Sequence, residues 1–269
     1  MVTLTFSTFE SMLNAAMAKR RIDTLLVARQ LAESREKARI MIMEGAVVAD
    51  NRTIVKTGTL VDEDAEVRLL QSPQFVSRGG LKLEHALTQF RLDVNGLVAV
   101  DVGASTGGFT DCLLKRGARK VYAVDVGYGQ LDYRLRQDPR VVVMERVNAR
   151  YAFTLPEDVD LATVDVSFIS LEKVVPTVAG LVKSGGYLIV LVKPQFEVGK
   201  GLVGKGGLVK DPLVHATVLG RFIVWAVDHG LRLSGLVASP ILGAEGNKEF
   251  LLLLWKPYGE CNDKEDMLG

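Results

Sequence analysis

The chain has few cysteines, few histidines and no long hydrophobic run. Its two cysteines, Cys112 and Cys261, are far apart among 269 residues, which favours a reducing compartment over a disulfide-stabilised secreted protein. The three histidines are scattered without ligand spacing, so we expect no metal site. The longest apolar runs, 186–192 and 250–255, have the length of buried strands and are too short to span a membrane.

Net charge and the N-terminus also carry little signal. The formal charge is +1, so a nucleic-acid site would have to come from local clustering of basic residues. Residues 1–16 lack a basic segment and contain Glu10 and Asn14, which argues against a signal peptide and, with the cysteine usage, predicts a cytoplasmic protein. Met17-Ala-Lys-Arg-Arg reads as a natural start, so we expect residues 1–16 to be a disordered extension.

Basic residues do cluster near the start of the chain. Residues 19–39 hold seven basic and three acidic side chains, a local charge of +4. Apolar spacing predicts two short helices here, the second capped by Ser34 and ended by Gly45, followed by strands around an Asp50-Asn51 turn. From charge alone, an RNA-binding face and an ordinary solvated face are about equally good interpretations.

The most informative stretch runs from Val98 to Asp111. An apolar strand containing Asp101 leads into a turn with glycines at 103, 107 and 108, and a helical pattern follows. Such glycines let a backbone approach a ligand closely, and the next strand ends in Asp125, where a carboxylate can accept two ribose hydroxyls. The pattern predicts a nucleoside-containing cofactor.

The cofactor could be a dinucleotide or S-adenosylmethionine. The turn lacks the Gly-x-Gly-x-x-Gly spacing that places a glycine against a pyrophosphate. Asp101 would repel a phosphate but suit the ammonium group of an amino acid. Both observations favour S-adenosylmethionine.

Beyond the glycine turn, strands and helices alternate, which predicts a mostly parallel seven-stranded sheet covered on both faces. We expect strands at about 97–102, 120–125, 140–144, 161–165, 186–192, 231–237 and 249–255, and helices at about 108–116, 128–137, 171–183 and 211–229. Polar side chains fall at the predicted strand ends, where ligands bind in open α/β sheets: Asp101, Asp125, Asn148, Asp165 and Lys193.

Lys193 follows a buried strand and precedes Pro194. A lysine partly withdrawn from water can act in its neutral form as a general base towards a hydroxyl, although Asp165 would oppose the loss of charge. A structural ion pair between Lys193 and an acid is the alternative. Residues 199–207 come near the phosphate-loop pattern, but Gly206 replaces the required Ser or Thr, so a basic lid carrying Lys200, Lys205 and Lys210 is the better interpretation.

The patterns together resemble known families. Residues 21–51, with Ser34-Arg-Glu-Lys-Ala-Arg39 and Glu44-Gly-Ala-Val47, resemble the S4-type RNA-binding domain. Over about 17–257 the chain resembles the TlyA family, described as rRNA 2′-O-methyltransferases and as hemolysins, whose catalytic part is similar to FtsJ-type ribose methyltransferases. The segments that carry this resemblance are 77–82, 101–111, 122–129, 165–170 and 191–200.

The resemblance implies a domain division and a fold. It implies a disordered extension at 1–16, an S4-type α+β domain at 17–70, a linker at 71–77, an FtsJ-like domain at 78–257 and a tail at 258–269. The larger domain would have the Rossmann-like fold of class I S-adenosylmethionine-dependent methyltransferases. The substrate would be ribosomal RNA, at a cytidine, and we expect a monomer with no membrane or metal partner.

The resemblance also implies residue roles. The catalytic set would be Lys82, Asp165, Lys193 and Glu249, with Lys193 deprotonating or polarising the ribose 2′-hydroxyl and the others tuning Lys193 and orienting the hydroxyl for in-line attack. The cofactor would contact Asp101, Gly103, Ala104, Ser105, Thr106, Gly107, Gly108, Phe109, Asp125, Val126, Asn148, Ala149 and Asp165. RNA would contact Arg20, Arg21, Arg35, Lys37, Arg39, Arg78, Lys200 and Lys205.

Other functions remain open at this stage. A membrane-active hemolysin lacks support from any spanning segment or long basic amphipathic helix in the sequence. A non-catalytic protein that binds S-adenosylmethionine and RNA is a second alternative, and the presence of both Asp165 and Lys193 counts against it. A pseudouridine synthase, which can also carry an S4-type module, does not fit the glycine turn.

Overall fold

The computed structural model describes residues 19–43, 45–69, 74–199, 203–243 and 246–258. The chain forms two compact units, residues 1–74 and residues 75–269. Three of the expected segments lie outside the described residues, wholly or in part: the extension at 1–16, linker residues 71–73 and the tail beyond Tyr258. Within the described ranges, no helix has the length and apolar character needed to cross a bilayer.

The first unit is a small α+β fold. In chain order its elements are β1 (Lys19–Arg21), α1 (Ile22–Ala28), α2 (Arg35–Met43), β2 (Val47–Ala49), β3 (Arg52–Ile54), β4 (Leu60–Asp62) and β5 (Val67–Leu69). Strand β1 pairs antiparallel with β4, and β2 pairs antiparallel with β3 and with β5. The sequence pattern does not predict β1 and β4, because neither has the turn residues that mark β2 and β3 on both sides of Asp50-Asn51.

Helix α2 begins and ends where the sequence predicts. The Ser34 hydroxyl oxygen accepts a hydrogen bond from the Lys37 N–H at 3.1 Å, which is the expected N-cap. Gly45 has φ = +71°, the left-handed conformation that commonly follows a helix end. Ala38 and Ile42 on the inner face are fully buried, so the helix keeps its basic face exposed. The Asp50-Asn51 turn is confirmed as well, since both residues have positive φ.

The second unit is a seven-stranded sheet with helices on both faces. Its strands are β6 (Val98–Val102), β7 (Lys120–Asp125), β8 (Val141–Glu145), β9 (Val159–Val164), β10 (Val182–Val192), β11 (Arg232–Ala238) and β12 (Phe250–Trp255). Its α-helices are α3 (Gly79–Phe90), α4 (Gly108–Lys115), α5 (Tyr133–Arg136), α6 (Val175–Leu181), α7 (Pro194–Glu197) and α8 (Pro212–Asp228). Helices α3 and α4 cover one face and α6 and α8 the other.

The strand order is β11-β12-β10-β9-β6-β7-β8. Strand β12 runs antiparallel to β10 and β11, and the remaining pairs are parallel, so the predicted mostly parallel sheet is confirmed. The chain moves outward from β6 in one direction through β7 and β8, and then returns to β9 on the other side. Ligands of open α/β sheets bind at such a reversal, outside the carboxyl ends of the strands.

Residues 75–77 do not behave as the linker that the sequence predicts. Phe75 and Val76 are buried in the second unit, and the Val76 N–H donates to Asp111 Oδ2 at 2.8 Å. A Cβ on Gly80 would lie 2.2 Å from the Phe75 ring, so this glycine gives the ring its space. The sequence pattern misled here because a proline and polar residues at 71–74 directly precede the two buried apolar residues.

Two predicted helices are shorter than expected. The helix expected at 128–137 is reduced to α5, because the preceding residues form a turn in which Asp125 Oδ1 accepts the Gly127 N–H at 2.7 Å. The helix expected at 171–183 is a 3-10 turn, Leu171–Lys173, followed by α6. Strand β10 begins four residues earlier than predicted, with an irregularity between Val182 and Tyr187.

Candidate active site

The glycines of the β6–α4 turn are required by close packing. Gly103 has φ = +84°, and a Cβ there would lie 2.3 Å from the Asp165 carbonyl oxygen. Gly107 has φ = +96°, and a Cβ there would lie 2.2 Å from Leu135 Cδ1. At both positions the close neighbours are protein atoms, so Gly103 lets the ends of β6 and β9 approach and Gly107 makes room for Leu135 of α5, rather than only admitting a ligand.

A cavity of about 520 Å³ lies at the carboxyl ends of β6, β7 and β9. This volume is within the range of roughly 300–1,000 Å³ typical of small-molecule sites. Much of its wall is apolar, and seven of the predicted cofactor residues line it: Gly103, Ser105, Asp125, Val126, Asn148, Ala149 and Asp165. The other predicted cofactor residues belong to the adjoining strand, turn and helix rather than to this lining: Asp101, Ala104, Thr106, Gly107, Gly108 and Phe109.

Asp125 is fixed at the cavity by two backbone hydrogen bonds. Its Oδ2 accepts the Ser105 N–H at 2.8 Å and its Oδ1 accepts the Gly127 N–H at 2.7 Å. Each carboxylate oxygen can accept a second hydrogen bond. The side chain is therefore oriented before any ligand arrives, and it can still accept two hydroxyl groups.

Asp101 lies near the end of β6, as predicted, but its side chain does not line the cavity. Its side chain is fully buried, with Oδ2 accepting the Thr110 hydroxyl at 2.7 Å and Oδ1 accepting the Thr163 hydroxyl at 2.9 Å. Burial raises the pKa of this carboxyl group to about 6, against the opposing effect of the two hydroxyl donors. Instead of offering an open carboxylate to an ammonium group, Asp101 joins β6 to α4 and β9.

Lys193 lies directly after β10 and contacts two side chains of the loop that follows β9. Its Nζ is 2.6 Å from Asp165 Oδ1 and donates a hydrogen bond to Ser167 Oγ at 2.8 Å. The Lys193 side chain is 11% exposed and that of Asp165 is 20% exposed. Asp165 and Ser167 both line the cavity, so the amine is held at its edge.

Lys82 and Glu249 form a second, more buried pair. Lys82 Nζ, on α3, donates to Glu249 Oε2 at 2.5 Å, with side-chain exposures of 11% and 3%. Glu249 immediately precedes β12 and Lys193 immediately follows β10, and in the antiparallel register Val192 pairs with Phe250. The sheet register thus brings Lys193 and Glu249 to one edge, and each pairs there with a residue from another element, Asp165 from the loop after β9 and Lys82 from α3.

Comparison with known proteins shows the family of the chain. The family described as FtsJ-like methyltransferase matches residues 75–256 of the chain. This chain belongs to the FtsJ-like methyltransferase family. A Bacillus subtilis protein named "Putative rRNA methyltransferase YqxC" is 50% identical over 93% of this chain and 90% of its own length.

Two further relatives cover most of the chain. The Mycobacterium tuberculosis protein named "16S/23S rRNA (cytidine-2'-O)-methyltransferase TlyA" is 46% identical over 88% of this chain and 91% of its own. The structure titled "Putative hemolysin from Streptococcus thermophilus" is 45% identical, covers 90% of both chains and superposes with a TM-score of 0.70. The resemblance to TlyA and hemolysin proteins expected from the sequence is confirmed.

The first unit of this FtsJ-like methyltransferase carries an ordered basic surface. Asp23 is fully buried, and its carboxylate accepts hydrogen bonds from the half-exposed guanidinium groups of Arg21 and Arg35 at 2.9–3.0 Å. The Arg21 hydrogen bond, followed by that from Arg35, holds the pKa of Asp23 well below its usual range. The buried carboxylate thereby fixes two arginines at the surface.

The remaining predicted RNA contacts are in varied settings. Lys37 pairs with Glu33 at 2.9 Å, Arg20 pairs with Glu63 at 2.9 Å, and Arg39 is exposed on α2. Arg78 is half-buried at the start of α3. Lys200 lies outside the described residues, as does the side chain of Lys205.

Sequence reasoning missed two side chains around Lys193. Ser167 contacts the amine directly, and Phe168, at φ = +64° and 90% exposed, lines the cavity. Both belong to the 165–170 segment that carries the family resemblance, and this was the sequence feature that could have pointed to them. The orientation of Phe168 could not be predicted, because it depends on a left-handed backbone conformation that a sequence rarely reveals outside glycine and asparagine.

Proposed function

We propose that this chain is an S-adenosylmethionine-dependent 2′-O-ribose methyltransferase that acts on ribosomal RNA, at a cytidine. The observation that carries the proposal is the Lys193–Asp165 contact of 2.6 Å at the edge of a cavity that Asp125 also lines. Ribosomal RNA as the substrate is supported by the names of two relatives that match nearly the whole chain. Such a substrate would place the enzyme in the cytoplasm, where we expect it to work as a monomer.

The cavity residues fit S-adenosylmethionine. Asp125 can accept the two ribose hydroxyls, and the apolar Val124, Val147 and Ala149 suit the faces of an adenine ring. Asn148 lines the same wall and can hydrogen-bond to the edge of the base. When bound, S-adenosylmethionine supplies a methyl group on a positively charged sulfur.

The four charged residues would prepare the ribose oxygen for reaction. Lys193, in its neutral form, takes the proton of the 2′-hydroxyl while that oxygen forms its bond to the methyl carbon. Asp165 holds the amine in place and stabilises the ammonium group that results. Lys82 and Glu249 neutralise each other at the adjoining strand end, so that Lys193 and Asp165 keep a defined geometry.

The first unit would dock the enzyme on RNA. We propose that it is an S4-type module in which α2 and the Asp23-anchored arginines track the phosphate backbone. Because Arg21 and Arg35 share one buried acceptor, their guanidinium groups are presented in a fixed orientation. That arrangement suits a structured RNA better than independently moving lysines would.

The test is transfer of a labelled methyl group from S-adenosylmethionine to separated, unmodified ribosomal subunits. We compare the wild type with Lys193→Ala and with Lys183→Ala, which removes an exposed lysine of the same strand. Methylation of a 2′-oxygen makes the adjoining phosphodiester bond resistant to alkali. Label found at such a resistant bond with the wild type and Lys183→Ala, but absent with Lys193→Ala, supports the proposal. Cofactor binding without label in either subunit refutes the ribosomal substrate, and equal label in both variants refutes the role of Lys193.

A further inference from the structure

Among the described residues, the amine of Lys193 has one ion-pair partner, Asp165, and one hydrogen-bond acceptor, Ser167, and the acceptor has no assigned role. Asp165 Oδ1 lies 2.6 Å from Nζ and Ser167 Oγ lies 2.8 Å from it. Ser167 is exposed and lines the cavity, two positions after Asp165. The hydroxyl is therefore on the open side of the amine, where the substrate oxygen must approach.

A neutral amine has two N–H groups and one lone pair. The hydrogen bond to Ser167 fixes one N–H, and the attraction of the Asp165 carboxylate favours the second N–H on its own side. The lone pair is then left in the remaining tetrahedral direction. With the ion pair to Asp165 alone, rotation about the Cε–Nζ bond would allow the lone pair more than one direction, so the Ser167 hydrogen bond determines where the base points.

We propose that Ser167 is a positioning residue that directs the Lys193 lone pair towards the ribose 2′-hydroxyl. The inference rests on the proposed function, in which Lys193 is the base. In the step, the 2′-oxygen gives its proton to Nζ and bonds to the methyl carbon as the carbon–sulfur bond breaks. The products are a 2′-O-methyl ribose, S-adenosylhomocysteine and protonated Lys193. Ser167 keeps its own proton throughout.

The surrounding loop gives Ser167 its place. Ser170, three positions later, donates its hydroxyl to Glu197 Oε2 at 2.8 Å, and the Leu171 N–H donates to Glu197 Oε1 at 2.8 Å. Glu197 ends α7, which begins directly after Lys193. The loop bearing Ser167 and the turn bearing Lys193 are thus tied together independently of the Ser167–Lys193 contact, so removal of the Ser167 hydroxyl should leave both loops in place.

The experiment measures kcat, KM and the pH dependence of kcat for Ser167→Ala and Ser167→Thr, with unmodified ribosomal subunits as substrate. We expect Ser167→Ala to lower kcat by about tenfold or more, because orientation of the base is lost, with KM for S-adenosylmethionine changed by less than about twofold. Ser167→Thr retains the hydroxyl and should recover most of the activity.

The pH profile separates positioning from general damage. A hydroxyl oxygen binds an ammonium group more strongly than a neutral amine, so its loss should shift the acid limb of the Ser167→Ala profile to lower pH. Ser184→Ala, which removes an exposed serine hydroxyl near the start of β10, is the control and should leave that limb in place. An unchanged limb and kcat in Ser167→Ala overturns the inference, as does an equal shift in Ser184→Ala.

Failure of the inference is distinguishable from failure of the proposed function. If Lys193→Ala is inactive while Ser167→Ala behaves as wild type, Lys193 remains the base and only the role of Ser167 is refuted. If Lys193→Ala is active, the proposed mechanism itself is refuted. Thermal unfolding and binding of S-adenosylhomocysteine check that each variant is folded, and a folded Ser167→Ala with wild-type kinetics counts against the inference.

Discussion

The Lys82 amine and the Glu249 carboxylate meet at 2.5 Å although 167 positions separate them in the chain. Both side chains are largely buried, at 11% and 3% exposure, so each charge depends on the other. Helix α3 supplies one partner and the start of β12 the other, and a Cβ on Gly243 would lie 1.9 Å from Glu249 Oε1. The pair is therefore held by three separate parts of the second unit.

We expect Glu249→Ala to be strongly destabilising. Removal of one partner of a buried ion pair leaves an uncompensated charge, which costs on the order of 3–5 kcal/mol in the free energy of unfolding. Lys183→Ala is the matched control, because the Lys183–Asp160 pair is exposed, and should cost less than about 1 kcal/mol. Urea unfolding followed by tryptophan fluorescence measures both, and similar losses in the two variants would contradict the prediction.

Asp125→Ala should weaken cofactor binding and leave the affinity for RNA nearly unchanged. The variant loses the acceptors for two ribose hydroxyls, and we expect the dissociation constant for S-adenosylhomocysteine to rise at least about tenfold, equivalent to ~1.4 kcal/mol. Isothermal titration calorimetry measures it directly. Asp158→Ala, which removes an acid from the described second unit away from this cavity, should bind normally.

Arg39→Ala should weaken binding to ribosomal RNA without changing methyl transfer at saturating substrate. Arg39 is exposed on the basic face of α2 and takes no part in the Asp23 cluster. If it neutralises one phosphate, the slope of log affinity against log salt should fall by about 0.7–0.9. Filter binding at several salt concentrations measures this slope, and Ile40→Ala serves as an uncharged control on the same helix. An unchanged slope would show that Arg39 does not contact an RNA phosphate.

The buried Asp101 predicts a pH dependence of stability. Its pKa is raised from 3.8 to about 6 in the folded protein, so folding favours the protonated form. The contribution is therefore complete below about pH 4 and is lost as the pH rises through 6, with a total size on the order of 3 kcal/mol.

The Asp101→Asn variant tests this sign. Its side chain stays neutral, so the difference in unfolding free energy between wild type and variant should move against the wild type as the pH rises from about 4 to about 7. Denaturant unfolding at several pH values measures that difference. A constant difference across the range would show that Asp101 titrates with its ordinary value in the folded protein.

The sequence alone determined much of this protein. The alternation of apolar strands with helical patterns predicted the mostly parallel sheet, because a buried helix face requires apolar residues at regular intervals along the sequence. The Ser34 and Gly45 caps and the Asp50-Asn51 turn were equally readable, since each depends on local backbone geometry. All five polar residues predicted at strand ends lie at or beside the carboxyl ends of parallel strands, which share one edge of the sheet.

The tertiary structure decided what depends on contacts between distant residues. No local pattern shows that Lys82 is buried against Glu249, that Asp101 is covered by Thr110 and Thr163, or that Phe75 belongs to the core rather than to a linker. These outcomes follow from strand order, from register and from which helix covers which face. The direction of the Lys193 amine belongs to the same class, because it is set by the Ser167 hydroxyl and the Asp165 carboxylate on the loop after β9.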